Sequence, residues 1–188
     1  MSTLLSLLGA TYVAGSINGA IVVLRLAGKG DPRTAYSGNP GTSNVHRLAG
    51  LPWAAVVLLF EVGRATALAW LALRWLPLAH VPLVGLALVL GIRFPLLHGF
   101  RGGKGVAGFL GFAVLVHPLA AALACASWVL VFAFARVSFI GSFAMVAVLG
   151  TGVVLRCGFG VESVVATAGT VALIYAAHAR NLRGRSAP

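Results

Sequence analysis

Residues 79–116 read AHVPLVGLALVLGIRFPLLHGFRGGKGVAGFLGFAVLV, two apolar runs parted by the basic glycine loop Arg101-Gly102-Gly103-Lys104-Gly105. Upstream, a second polar stretch lies between apolar runs: Ser37-Gly38-Asn39-Pro40-Gly41-Thr42-Ser43-Asn44-Val45-His46-Arg47. The chain is 188 residues long and 60% hydrophobic, with a mean hydropathy of +0.99. A soluble domain of that length cannot cover so much apolar surface, so the sequence describes an all-α integral membrane protein. In hydrocarbon, irregular polar backbone survives only where it lines a wet cavity or meets the membrane surface. The two glycine loops therefore mark a site at one membrane face.

Outward from those loops, apolar spans fall at about 4–27, 51–73, 79–97, 105–116, 118–135, 139–156 and 161–178. Seven transmembrane helices in a single membrane domain, residues 1–188, are expected. Crossing a bilayer takes about 20 residues. Span 105–116 is therefore short, and should be tilted, re-entrant or continuous with its neighbour across His117-Pro118. No basic n-region or small-residue cleavage site marks the first run, which reads as a retained helix. Lys and Arg number 14 against 3 acidic residues, a formal charge of +11. The basic residues sit in short loops, as orientation signals and headgroup contacts do, which argues against nucleic acid as partner. With the N-terminus outside, Arg25, Lys29, Arg33, Arg47, Arg93, Arg101, Lys104, Arg136, Arg180, Arg183 and Arg185 face the cytoplasm; only Arg74 and Arg156 lie outside. That bias favours an odd number of crossings and places both loops and the C-terminal tail in the cytoplasm.

The loops carry the chemistry. Glycine runs allow backbone N–H groups to converge on an anion, and cations nearby supply the opposing charge. In the first loop, Ser37, Gly38, Gly41, Thr42 and Ser43 give a tight backbone with donors, Asn39 and Asn44 offer amides, and Arg47 can grip a phosphate or carboxylate. An ordinary turn would use many of the same residues. In the second, Gly102, Gly103 and Gly105 surround Lys104 and open a helix, whose free N–H groups and dipole favour anions. A Walker loop is excluded, since Gly would be needed at His98 and Ser or Thr at Gly105. His178 and Asn181 share a face at the end of the last span, and read by themselves as an interfacial anchor. Ser138 and Ser142 follow Arg136 at another boundary. Glu61 and Arg64, one helical turn apart inside a span, should form an internal ion pair. Cys125 and Cys157 read as buried structural thiols, and neither a metal nor a cofactor is called for.

In this order, these pieces resemble the PlsY family of bacterial acyl-phosphate:glycerol-3-phosphate acyltransferases. The resemblance runs from Gly15-Ser16 through Gly30-Asp31-Pro32-Arg33 to the first loop, then Phe94-Pro95, Phe100 to Ala107, Val137-Ser138 and His178…Asn181-Leu182. It implies a seven-helix enzyme of the bacterial plasma membrane with its site at the cytoplasmic face. Its reaction would move a fatty acyl group from acyl phosphate to the 1-hydroxyl of glycerol 3-phosphate, giving lysophosphatidic acid and phosphate. Lys104, Arg47, His178 and Asn181 would be catalytic. Ser37, Gly38, Asn39, Gly41, Ser43, Asn44, Gly102, Gly103, Gly105, Ser138 and Ser142 would bind the phosphates.

Several positions depart from the family pattern. Ile92 stands where a His is common, Asn18 replaces Pro, Thr42 replaces Ala, and Ser43 keeps the hydroxyl of the usual Thr. The second family serine aligns with Gly141 in register or Ser142 by a one-residue slip, and Gly184 takes the place of an Arg. Two alternatives stay open: a weak or inactive relative that binds anionic lipid or acyl phosphate in a regulatory or scaffold role, and a small transporter. Against the transporter stand the lack of inverted repeats and the gathering of polar motifs on one face.

Overall fold

A computed structural model describes residues 1–179 and 181. The described residues form nine α-helices and no strand: α1 (Ser2–Ser16), α2 (Gly19–Leu26), α3 (Thr42–Ala49), α4 (Leu51–Trp75), α5 (Val81–Arg93), α6 (Val106–Val116), α7 (Pro118–Ala135), α8 (Ser138–Cys157) and α9 (Val161–Ala176). Short 3-10 turns, Leu78–His80 and Leu96–His98, flank α5. By length and hydropathy, four stretches can cross a membrane among the described residues: α4, Leu78–His98, α7 and α8. The pair α1 and α2, bent by 43°, passes the same test as a unit, whereas α6 and α9 are shorter. Lipid takes the place of solvent around this bundle, as the bare outer face of α7 illustrates, with Leu119, Leu123, Val129, Leu130 and Phe134 all exposed.

Three sequence expectations are corrected here. The span 4–27 is not one helix. It breaks at Ile17, and Asn18 starts α2 afresh by accepting a hydrogen bond from the Ile21 N–H at 3.0 Å. Part of the first polar loop is helical, because Gly41 leads into α3 and places Thr42, Ser43, Asn44 and Arg47 on that helix. Continuity between 105–116 and 118–135 fails at His117, whose extended backbone and Nδ1, accepting from the Ala120 N–H at 3.2 Å, begin α7 separately. Other ends shift modestly: α5 stops at Arg93, ahead of Pro95, and α9 stops at Ala176. Arg180, Arg183 and Arg185, counted above for orientation, lie outside the described residues, as do Leu182 and Gly184.

Small residues permit the close crossings. A Cβ on Gly91 would lie 2.3 Å from the Tyr12 carbonyl oxygen and one on Gly15 2.6 Å from that of Leu88, so α1 and α5 touch backbone to backbone. At Gly152 a Cβ would meet Ala120 at 2.1 Å, which seats α8 on α7. Membrane bundles, lacking a hydrophobic drive between helices, gain cohesion from such contacts. Phe109, Phe112, Leu88, Leu149 and Ile174 fill the centre. Cys157 is buried, as expected, but Cys125 is exposed on the outer face of α7.

One polar linkage sets the bend between α1 and α2. Glu61 and Arg64 pair within α4, as their spacing predicts. Glu61 Oε1 also accepts the Gly19 N–H at 2.8 Å, an orphan donor of the first turn of α2. Arg64 donates to the carbonyls of Ala14, at 3.1 Å, and of Ile17, at the C-terminal end of α1. The ion pair thus satisfies both broken helix ends inside the bundle, where each unmet group would be costly.

Candidate active site

α5 and α9 both deliver their C-terminal ends to one end of the bundle, and the second glycine loop rests on them. Gly105 adopts φ +89°, and a Cβ there would meet Val89 of α5 at 3.0 Å and Ile174 of α9 at 3.6 Å. Gly102 is tighter still, since its Cβ would sit 2.0 Å from the Ile92 carbonyl oxygen. The Gly103 N–H donates to that same carbonyl at 3.0 Å. Glycine in this loop is therefore fixed by backbone contact as well as by turn geometry.

Lys104 projects between those glycines, half-buried. Burial, with the cationic Arg93 and Arg47 beside it, pulls its ammonium down to about 8. Neither Lys104 nor Arg47 has an ion-pair partner among the described residues, where the three ion pairs are Arg33–Asp31, Arg64–Glu61 and His80–Glu162. Arg93 and Arg47 both act on the Lys104 ammonium, so positive charge gathers at the N-terminus of α6, where the helix dipole adds to it. Arg93 is a member that sequence reasoning had assigned only to orientation.

The first loop is tied to the second at two points. Asn18 Nδ2 donates to the Pro40 carbonyl at 3.2 Å, and a Cβ on Gly103 would lie 3.2 Å from that oxygen and 3.6 Å from Asn18 Nδ2. Arg33, paired with Asp31 at 2.6 Å, donates from Nη1 to the His98 carbonyl at 3.0 Å. Asn18 is thus a buried hub, whereas the sequence reading noted it only as a replacement for Pro; a lone Asn inside an apolar run was the available signal. Within the loop, Asn44 is buried and its amide is consumed by backbone. Nδ2 donates to the carbonyls of Pro32 at 2.7 Å and Ala35 at 3.1 Å, and Oδ1 accepts the Ser37 N–H at 3.3 Å. Ser37, Gly38, Ser43 and Arg47 remain exposed, while Asn39 and Gly41 are partly covered. Ser43 and Arg47, four apart on α3, share a face.

His178 stands in the turn after α9, 3% exposed. Its Nδ1 lies 2.9 Å from the Ile174 carbonyl oxygen. A carbonyl only accepts, so Nδ1 carries the hydrogen and Nε2 keeps its lone pair. Burial pushes the imidazole below its ordinary value, the Ile174 hydrogen bond opposes this, and the Lys104 charge adds to the depression. His178 is neutral at pH 7. The Asn181 N–H donates to the His178 carbonyl at 2.8 Å. Phe143 of α8 packs edge-on against the imidazole at 5.4 Å, bringing the start of α8 beside it. Ser138 opens that helix, half-buried, and Ser142 Oγ donates back to the Ser138 carbonyl at 3.2 Å. A Cβ on Gly141 would lie 3.0 Å from the Trp128 ring, so a serine in register there would have to displace that indole. Ile92, in the place of the common His, is buried with its Cδ1 over Gly108, 2.3 Å from where a Cβ would be.

The fold and this end of the bundle define a helical integral membrane protein whose cationic glycine loops gather at one face. Comparison with known proteins narrows the class. The glycerol-3-phosphate acyltransferase family matches residues 5–186. A glycerol-3-phosphate acyltransferase of Azotobacter vinelandii is 41% identical over 134 residues, 71% of each chain. One from Pseudomonas fluorescens is 43% identical over 128 residues, 68% of each chain. The crystal structure of PlsY (YgiH), an integral membrane glycerol 3-phosphate acyltransferase, in its glycerol 3-phosphate form aligns with a TM-score of 0.88 at 29% identity, covering 96% of this chain and 90% of that one. Its lysophosphatidic acid form aligns with a TM-score of 0.84 at 28% identity. The chain belongs to the glycerol-3-phosphate acyltransferase family.

Proposed function

We propose that this protein transfers a fatty acyl group from acyl phosphate to the 1-hydroxyl of glycerol 3-phosphate. The observation that carries the reading is the convergence of Lys104, Arg93 and Arg47 on two glycine loops, with neutral His178 alongside. Both substrates bring a phosphate, and the donor also brings an alkyl chain, which suits a site at the edge of a membrane bundle. Lys104 and the N-terminal turn of α6 hold phosphate, with Gly102, Gly103 and Gly105 giving access to backbone. Arg47 and Ser43, on the exposed face of α3, take the second phosphate with Ser37, Gly38, Asn39 and Gly41. Asn44 acts from behind by shaping that loop. Ser138 and Ser142 shape the wall beside His178, and Asn181 steadies its turn.

The glycerol hydroxyl attacks the acyl carbonyl carbon, the bond from that carbon to the phosphate oxygen breaks, and phosphate leaves with the proton. His178 Nε2 accepts a hydrogen bond from the hydroxyl and aims it. Preorganised cations stabilise the charge that develops on the carbonyl oxygen and the departing phosphate, where their effect is greatest. The donor is already activated, so positioning contributes much of the acceleration. The charge bias of the loops supports a bacterial inner-membrane protein with its N-terminus outside and both loops cytoplasmic.

Phosphate release from hexadecanoyl phosphate by the detergent-purified protein is the test. Release that depends on glycerol 3-phosphate and yields lysophosphatidic acid is expected. A folded sample that turns over neither substrate, beside an active relative, would refute the proposal.

A further inference from the structure

The chain has only three acidic side chains, and each already has a basic partner. Asp31 pairs with Arg33, Glu61 with Arg64 and Glu162 with His80. Lysines are as scarce, since Lys29 and Lys104 are the only two. Lys29 is exposed on the approach to the first loop, whereas Lys104 is half-buried among the buried Gly102, Gly103 and Gly105. No carboxylate side chain remains to hold the Lys104 proton.

The groups that act on Lys104 or feel its charge come from three elements, and none is acidic. Arg93 ends α5, Arg47 lies on α3, and His178 follows α9. Burial and the two guanidiniums lower the Lys104 ammonium to about 8. About a tenth of it is therefore neutral amine at pH 7, and about nine-tenths at pH 9. A desolvated amine beside other cations is the arrangement that makes lysine a nucleophile. The flanking glycines have no side chains to shield it. Acyl phosphates are mixed anhydrides, and they acylate amines as well as alcohols.

We infer that Lys104 is an acylation site: acyl phosphate bound without glycerol 3-phosphate transfers its acyl group to Lys104 Nζ and inactivates the protein. The inference rests on the acyltransferase reading above and adds a control exerted at the same site. Nζ attacks the acyl carbonyl carbon, and a C–N bond forms as the bond from that carbon to the phosphate oxygen breaks. Inorganic phosphate leaves with the electron pair of that bond and with the proton released from nitrogen. The product is an amide, too stable to pass its acyl group to a hydroxyl, so the modification is a dead end and not a step in turnover. It removes the positive charge, as acetylation of a lysine does. Glycerol 3-phosphate opposes it twice. Its phosphate favours the charged ammonium, which is no nucleophile, and its hydroxyl consumes the donor. The balance of the two substrates thus sets how much of the protein stays active.

The test incubates the detergent-purified protein with hexadecanoyl phosphate, with and without glycerol 3-phosphate, before intact-mass measurement and peptide mapping. Turnover of both substrates is measured on the same sample. Without glycerol 3-phosphate, one hexadecanoyl group should appear on Lys104, resistant to hydroxylamine, and activity should fall in step with it. Labelling should speed up about tenfold from pH 7 to pH 9, and saturating glycerol 3-phosphate should slow it about tenfold or more. Lys104→Arg, whose guanidinium keeps its proton, should carry no such label. A label confined to Cys125 and released by hydroxylamine, or equal labelling of Lys29, would overturn the inference. So would an unlabelled Lys104 in a protein that turns over both substrates. A folded sample that neither turns over nor takes the label refutes the acyltransferase reading, and the inference falls with it.

Discussion

Lys104 gives this site a pH dependence that can be worked from its surroundings. Buried beside Arg93 and Arg47, it loses its proton at about 8 in the free protein, below the usual lysine range. A bound phosphate needs the charged form. Binding therefore weakens as pH rises through the free-protein value, by a factor of one plus the ratio of neutral to charged lysine. At pH 7 that factor is about 1.1, at pH 8 about 2, and at pH 9 about 11. Because kcat/KM reports the free enzyme, its value for glycerol 3-phosphate should fall about tenfold between pH 7 and pH 9, with a limiting slope of one decade per pH unit. The substrate phosphate has its second ionisation near 6 and is a dianion throughout, so it does not imitate the effect. His178, already depressed below its ordinary value, is neutral over the same range and is equally silent. Steady-state assays of phosphate release from pH 7 to 9.5 at constant ionic strength give the profile. Lys104→Arg is the control, because a guanidinium keeps its charge throughout and the fall should vanish whatever rate remains. A flat profile in the unmutated protein, or the same decline in Lys104→Arg, would refute the argument.

Four further outcomes follow from the geometry. Removing one member of the buried Glu61–Arg64 pair, as in Arg64→Ala, should cost about 3–5 kcal/mol of stability and lower the melting temperature in detergent, since the remaining charge is stranded. Asn18→Ala removes a helix cap worth about 1 kcal/mol and leaves the Pro40 carbonyl short of a donor, so kcat should drop more than the melting temperature suggests. Gly102→Ala forces a Cβ to within 2.0 Å of the Ile92 carbonyl, and activity should be lost while the spans still insert, as a protease-accessibility assay can check. His178→Ala should lower kcat by about a hundredfold with little change in the apparent affinity for glycerol 3-phosphate. A change confined to KM would show that the imidazole binds substrate without aiding the reaction.

Long apolar helices were readable because hydrocarbon demands length and composition alone. The reading of 118–135 coincides with α7, and 51–73 falls short of α4 by two residues at Trp75. The break after Ile17 was hidden because its cause is remote. Glu61 and Arg64 satisfy the exposed helix ends from 42 to 50 residues away, and no local signal states that. Similarly α3 escaped notice inside a run rich in turn residues, where Gly41 and Asn44 favour loops until tertiary contacts decide otherwise. Lys104 was legible as a candidate because charge among glycines has few other uses in such a chain. Arg93 was not, since its nearness to Lys104 depends on the turn of chain from Phe94 to Gly103. Asn44 shows the opposite error. Its amide looked available, but composition does not tell in which direction an amide points.

The support beneath Gly105 has a consequence for how the protein comes into being. That glycine leans on Val89 and on Ile174, and the second of these belongs to the last described helix. His178 arrives later still. While the chain is being inserted, every earlier helix can be seated in the bilayer and both loops can be made, with nothing yet to brace Lys104 from the far side. On the function proposed above, the site is therefore complete only once α9 lies beside α5. A nascent or prematurely released chain would be a membrane passenger without chemistry, unable to draw on the phosphate compounds around it before assembly is done.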